Sequence, residues 1–243
     1  MRHATTYVLI PGAGSDAWHW HLVVPELRRR GHDVVAVDLP CDDDAAGLPE
    51  YVDAVVAAVG DRVDRGDRGD GGDRGELVLV AQSMGALTAP LVCDRLPVDL
   101  LVLVAAMVPA PGERPADWWD AVGHDEARRR QAAIDGTWSA DDDDPVTMFL
   151  HDVPPAVAAA AGDHARPQSG RPFQDPWPRD AWPDVPTRFL LCRHDRFFPA
   201  DLLRRVACER LGITPDEMDG GHLPALARPQ ELVERLEAYR RAR

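Results

Sequence analysis

Short runs of consecutive apolar residues alternate along this chain with stretches apolar on one helical face. Tyr7–Ile10, Asp33–Pro40, Leu77–Val80, Leu100–Ala106 and Thr187–Cys192 are rich in Val and Leu at successive positions. That pattern predicts strands buried on both faces, as in a parallel sheet. A further short strand is expected within Ile213–Met218. Between the strands lie helical patterns. Ala17–Arg30 carries Trp18, Leu22, Val23 and Leu27 on one face and is stopped by Gly31. Tyr51, Val52, Val55, Val56 and Val59 mark a second helix; Ala86–Cys93, Pro199–Leu211 and Pro229–Arg241 mark three more. Strand–helix alternation of this kind predicts an α/β, mostly parallel, doubly wound sheet.

The alternation stops between about Met107 and Pro186. This segment holds Trp118, Trp119, Trp138, Trp177 and Trp182, five of the seven tryptophans, together with many prolines. It reads as a helical lid, 107–186, inserted into a core formed by 1–106 and 187–243. Its Asp141–Asp144 run is expected to be a solvated turn or a helix-start cap. Asp61–Gly75 is a low-complexity run of Asp, Arg and Gly that cannot bury apolar surface, and reads as a solvated loop.

Length and composition fit this outline: 243 residues, 45% hydrophobic, suit one large domain with an insertion. The net charge of −14 disfavours nucleic acid and anionic membrane surfaces as partners. All 27 basic residues are arginine, a bias of composition rather than a functional device. Cys41, Cys93, Cys192 and Cys208 form no C-x-x-C pair, so no zinc or other metal site is expected, and Cys93 and Cys192 read as buried thiols. Met1–Thr6 leads into the first strand without a secretory leader pattern, and no apolar run approaches about 18 residues. A cytoplasmic protein, monomer or homodimer, is expected.

The chemistry centres on Ala81-Gln82-Ser83-Met84-Gly85, placed between a buried strand and a helix start. Small residues two before and two after a serine let strand and helix pass closely while the serine is exposed on a strained turn. This is the nucleophile elbow, with Ala81 in place of the first glycine. A serine nucleophile needs a base, an orienting acid and an oxyanion site, here in the chain order Ser, Asp, His. His222 lies in the tight turn Asp219–Leu223, between the last strand and the final helix, where a base can reach the serine. Asp195 follows the strand ending at Cys192 and is the expected acid; Asp219 is the alternative, and Asp195 could instead cap the next helix. The oxyanion donors are expected to be the Met84 amide and the Ala13 amide, with Gly14 as second choice, because Pro11 cannot donate. Gly12 and Gly14 would let the first loop approach substrate. The same glycines could suggest a dinucleotide site, but the third glycine of that fingerprint is missing.

Ile10–Gly14, Ala17-Trp18, Gly31–Val34, Asp38-Leu39, Gln82–Gly85, Asp195–Phe197 and Gly220–His222 together resemble the α/β-hydrolase superfamily. The resemblance is strongest to its small-lidded branch of plant methyl esterases and related hydroxynitrile lyases. It implies the α/β-hydrolase fold, an inserted lid and no cofactor. Family members often carry His-Gly where this chain has Pro11-Gly12, and Gly or His around the serine where it has Ala81 and Gln82. The lyases use a polar Thr after the first strand and a lid lysine; this chain has Gly12 and no lysine at all. Ser83 also stands where dehalogenases and epoxide hydrolases of this fold need a carboxylate. The expectation is therefore a serine-dependent hydrolase of a small to medium apolar carboxylic ester, aromatic ones included, with a small molecule as its partner. Trp118 and Trp119 are candidates to line its pocket, although lid packing is the commoner use of such residues, and Trp18 is expected in the core behind the first loop. Alternatives are an acyl-thioester hydrolase resembling type II thioesterases, a lyase, and a ligand receptor on the same scaffold.

Overall fold

A computed structural model describes residues 5–60 and 75–243. The expected loop at 61–75 therefore falls, but for Gly75, outside the described residues. Six strands form one parallel sheet: β1 (Thr6–Ile10), β2 (Asp33–Ala36), β3 (Leu77–Gln82), β4 (Leu100–Val104), β5 (Thr187–Cys192) and β6 (Asp216–Met218). Their spatial order is β2-β1-β3-β4-β5-β6, and every neighbouring pair is parallel. β3 and β4 are buried at every position, as their unbroken apolar runs require. Alternate residues supply separate cores on the two faces of the sheet. Val8, Ile10, Leu79, Ala81, Leu101 and Leu103 pack on one side; Tyr7, Leu9, Val78, Val80, Val102 and Val104 pack on the other.

Helix α1 (Val23–Arg29), the short α9 (Pro224–Ala227) and the final helix α10 (Pro229–Arg241) cover one face; α2 (Leu48–Val59) and α8 (Ala200–Leu211) cover the other. Two helices are shorter than their sequence pattern. Ala17–Trp20 is a separate 3-10 turn and α1 begins only at Val23, because Pro25 has no N–H and its ring would clash with a helical carbonyl at His21. After the elbow, a 3-10 segment (Ser83–Leu87) gives way to the four-residue α3 (Ala89–Val92), where Pro90 again removes a ladder donor. Trp18 is not in the core: it is partly exposed and stacks between His21 and His164, at 4.1 and 4.4 Å. Its neighbour Trp20 is fully buried.

Between β4 and β5 the described chain is helical and contains no strand. Helices Trp118–Val122, His124–Asp135, Pro145–Phe149 and Pro155–Asp163 (α4 to α7) sit on the carboxyl edge of the sheet. The Trp177 indole N–H pins this insertion to the core by donating to the Leu87 carbonyl, while Trp118 and Trp182 donate within it, to the Val108 and Pro109 carbonyls. Asp144 caps α6, accepting from the Thr147 amide. No described helix is long and apolar enough to cross a membrane.

Strand order turns back on itself between β1 and β3, so their carboxyl ends open side by side, the place where parallel sheets present ligands. Ile10 is in register with Ala81, and Cys192 with Met218. The loops after β1, β3, β5 and β6 thus leave from one edge.

Candidate active site

β3 ends at Gln82 and the chain turns at Ser83, whose φ is 52°. That left-handed conformation costs a non-glycine residue about 1–2 kcal/mol. The surroundings enforce it. A Cβ on Gly85 would lie 2.6 Å from the Pro11 carbonyl oxygen and 3.0 Å from that of Ile10, so the elbow can press against the end of β1 only because Gly85 has no side chain. The Ser83 carbonyl accepts from the Met107 amide at 3.1 Å. Ala81 is fully buried in the strand.

His222 Nε2 stands 3.1 Å from Ser83 Oγ, and its Nδ1 stands 2.8 Å from Asp195 Oδ2. A carboxylate only accepts, so Nδ1 carries the proton and Nε2 is free to accept from the serine hydroxyl. Asp195 is 1% exposed and His222 3%. The other Asp195 oxygen accepts from the Phe197 and Phe198 amides, both at 2.8 Å. The cap reading of Asp195 thus also holds in part: one oxygen orders the chain that enters α8 while the other faces the imidazole. Asp219 is elsewhere, exposed and paired with Arg193.

The Met84 amide lies in the first turn of the 3-10 segment, where an N–H has no helical carbonyl behind it. Among the described residues, neither it nor the Ala13 amide has a partner. Gly14 is different: its amide donates to Gln168 Oε1 at 3.0 Å, which removes it as a donor to substrate. Gly12 is required by close approach, since a Cβ there would lie 2.4 Å from Gln82 Oε1. Gly14 has φ of 62° and is clasped by the insertion rather than opened to the site.

Aromatic rings wall the imidazole. Phe197 and Phe198 approach His222 edge-on, both at 5.1 Å, and Phe149 from the insertion stands at 5.4 Å. Trp118 is fully buried and touches Phe198, one layer behind the histidine; its place is in the core, because its ring and its N–H are both already satisfied. Trp119 is partly exposed and meets Phe197 edge-on at 5.7 Å.

Three further residues bear on the site without any motif to flag them. Gln82 donates through Nε2 to the His222 carbonyl at 3.1 Å; only its departure from the usual residue before the serine draws notice to it. Asp152, from the insertion, accepts from the Gly221 amide at 2.7 Å. His19 is buried near His222, and burial above all pushes its pKa down to about 3. Burial raises the Cys93 thiol to about 12, which makes it inert. Among the described residues no cluster of three or more His, Cys, Asp or Glu could hold a metal.

This chain belongs to the alpha/beta hydrolase family, whose model matches residues 7–235. It is 24% identical over 250 residues to Methylesterase 3 of Arabidopsis thaliana, covering 93% of this chain and 92% of that protein. It is 35% identical over 121 residues to Probable esterase PIR7A of Oryza sativa subsp. indica, a match spanning 44% of this chain and 41% of the rice protein. Among solved structures, polyneuridine aldehyde esterase aligns with a TM-score of 0.74 at 19% identity, over 97% of this chain and 98% of that one. The chain is thus a member of the alpha/beta hydrolase family that is similar to plant methylesterases.

Proposed function

We propose that the protein hydrolyses small to medium apolar carboxylic esters through a serine-bound acyl-enzyme. The observation that carries this reading is the unbroken relay from Ser83 Oγ through His222 to a buried Asp195. In the first step Ser83 Oγ attacks the ester carbonyl carbon and His222 Nε2 takes the hydroxyl proton. The carbonyl oxygen becomes an oxyanion facing the Ala13 and Met84 amides. Collapse breaks the bond to the alkoxy oxygen, which leaves as the alcohol with the proton from His222. Water then repeats the sequence on the acyl-enzyme, releasing the acid and restoring Ser83. Asp195 holds the imidazole in the required tautomer and stabilises it when protonated. The half-buried rings of Phe149, Phe197 and Trp119 favour an apolar, aromatic-tolerant substrate. The esterase names of its relatives agree with ester rather than amide chemistry.

Fluorophosphonate labelling with mass spectrometry, beside a short-chain p-nitrophenyl ester assay, tests the reading. One adduct on Ser83 with ester turnover is expected. An adduct without turnover would move the substrate towards acyl thioesters, and no adduct on folded protein would end the serine-hydrolase reading.

A further inference from the structure

The loop that carries the Ala13 amide rests on the core at Gly12 but is held by the insertion at Gly14. Gly14 is gripped on both sides by one segment of the insertion. Its amide donates to Gln168 Oε1 at 3.0 Å, and its carbonyl accepts from the Arg166 amide at 2.9 Å. The fit is close: a Cβ on Gly14 would lie 2.8 Å from the Arg166 carbonyl oxygen. The gripping segment is itself stitched down. Arg166 donates to the Leu39 carbonyl and to Asp42, and the Ser169 amide donates to the Cys41 carbonyl at 2.6 Å. The Gln168 amide is fixed in one orientation, because its Nε2 donates to Tyr51 Oη at 3.1 Å and to its neighbour's carbonyl at 2.9 Å. That leaves Oε1 facing Gly14.

Oxyanion stabilisation depends on donors being held in place before charge develops, so that none of the stabilisation goes into reorienting them. We infer that Gln168 is the positioning residue of the oxyanion site: by capturing the Gly14 amide it locks the Ala13–Gly14 peptide and leaves the Ala13 amide as the free donor. The inference rests on the esterase reading above. It makes the insertion part of the catalytic geometry even though Gln168 touches neither substrate nor serine.

The experiment uses the full chain with Gln168→Met, which keeps length but removes the acceptor, and Gln168→Glu, which restores it. Gln168→Leu serves as a second removal should the methionine variant fail to fold, and Tyr51→Phe removes one of the two bonds that orient the Gln168 amide. Fluorophosphonate labelling rate, kcat, KM and affinity for a trifluoromethyl ketone are read on protein of confirmed melting temperature. Losing a whole oxyanion donor costs about two to three orders of magnitude, so a donor left unheld is expected to cost about 10- to 100-fold. Gln168→Met should lose that factor in kcat, labelling rate and ketone affinity with KM within about twofold. Gln168→Glu, which keeps an acceptor but gives up both Nε2 bonds, should recover most of the loss, and Tyr51→Phe, with the bond to the Ser169 carbonyl intact, should fall between wild type and Gln168→Met. Labelling of Gln168→Met at the wild-type rate, or equal loss in the Met and Glu variants, would overturn the inference alone. An unlabelled wild type would overturn the esterase reading and this inference with it.

Discussion

Gly12 and Gln82 approach so closely that no side chain fits on the first: a Cβ on Gly12 would lie 2.4 Å from Gln82 Oε1 and 3.1 Å from Ser83 Cβ. Gln82 is 1% exposed and spends its Nε2 on the His222 carbonyl. One side chain therefore spans from the loop of the Ala13 amide to the loop of the base. Gly12→Ala is expected to displace Gln82 and disturb both. Overpacking of this kind costs about 1–3 kcal/mol, or several degrees of melting temperature at this size. The larger effect should fall on kcat, by about tenfold or more, because both loops carry groups that act in the transition state. A melting curve and steady-state kinetics on one preparation check this; wild-type kcat in the alanine variant would show that the contact is slack.

The elbow and the base turn were legible because backbone geometry constrains residue type there. Ser83 needs a small neighbour at Gly85 and a strand before it, and His222 needs a glycine turn after the last strand; both demands leave marks in sequence. Chain order then singled out Asp195 from a crowd of acids. Gln168, Asp152 and Gln82 left no such mark, since each acts through one hydrogen bond to a residue at least 69 positions away. Nothing local distinguishes them from surface polar residues. Trp118 failed as a pocket candidate for the opposite reason: a tryptophan between sheet and insertion is equally suited to packing, and its N–H found the Val108 carbonyl.

Ser83 and His222 are expected to act as one unit. Ser83→Ala and His222→Ala should each lower kcat/KM by about three orders of magnitude or more, and the double variant should be no worse than either single one. Additive losses would mean that the two side chains do not share a step. Asp195→Asn should keep the fold, yet lower kcat by about three to four orders of magnitude, since an amide no longer fixes the tautomer of His222.

Asp152 ties the insertion to the base. Its Oδ2 accepts from the Gly221 amide at 2.7 Å, immediately before His222, and a Cβ on Gly221 would lie 2.7 Å from both Asp152 Oδ1 and His151 Nε2. Asp152→Ala removes the acceptor and is expected to lower kcat by about tenfold, the scale of one buried hydrogen bond of about 1–2 kcal/mol. Asp152→Asn retains a carbonyl that can accept the same bond and should recover most of the loss. Equal kinetics for the two variants would separate Asp152 from the placement of His222.

His19 gives the protein an acid-sensitive stability that is independent of turnover. It is 4% exposed, packs edge-on against Trp20, and its Nε2 has no partner. Burial, then the neighbouring His222, lower its pKa from 6.5 to about 3. Between those values the unfolded chain binds a proton that the folded one refuses, so stability is full above about 6.5 and falls as pH drops. One group of this kind contributes up to about 1.4 kcal/mol of loss per pH unit within the window. Glu237, held near 2 because its bonds from Arg240 and Tyr7 and the charge of His32 outweigh its burial, adds its own loss only below its ordinary 4.5. Burial also lowers His124 and His151, so the difference between two proteins, not the wild-type slope, isolates His19. Denaturant unfolding of wild type and His19→Phe between pH 4.5 and 7 is the measurement. The phenylalanine variant should match or exceed wild-type stability at pH 7, because it removes an unpaired buried nitrogen. Its advantage should widen by about 1 kcal/mol per unit on acidification. Parallel stability curves for the two proteins would show that His19 takes up its proton without unfolding.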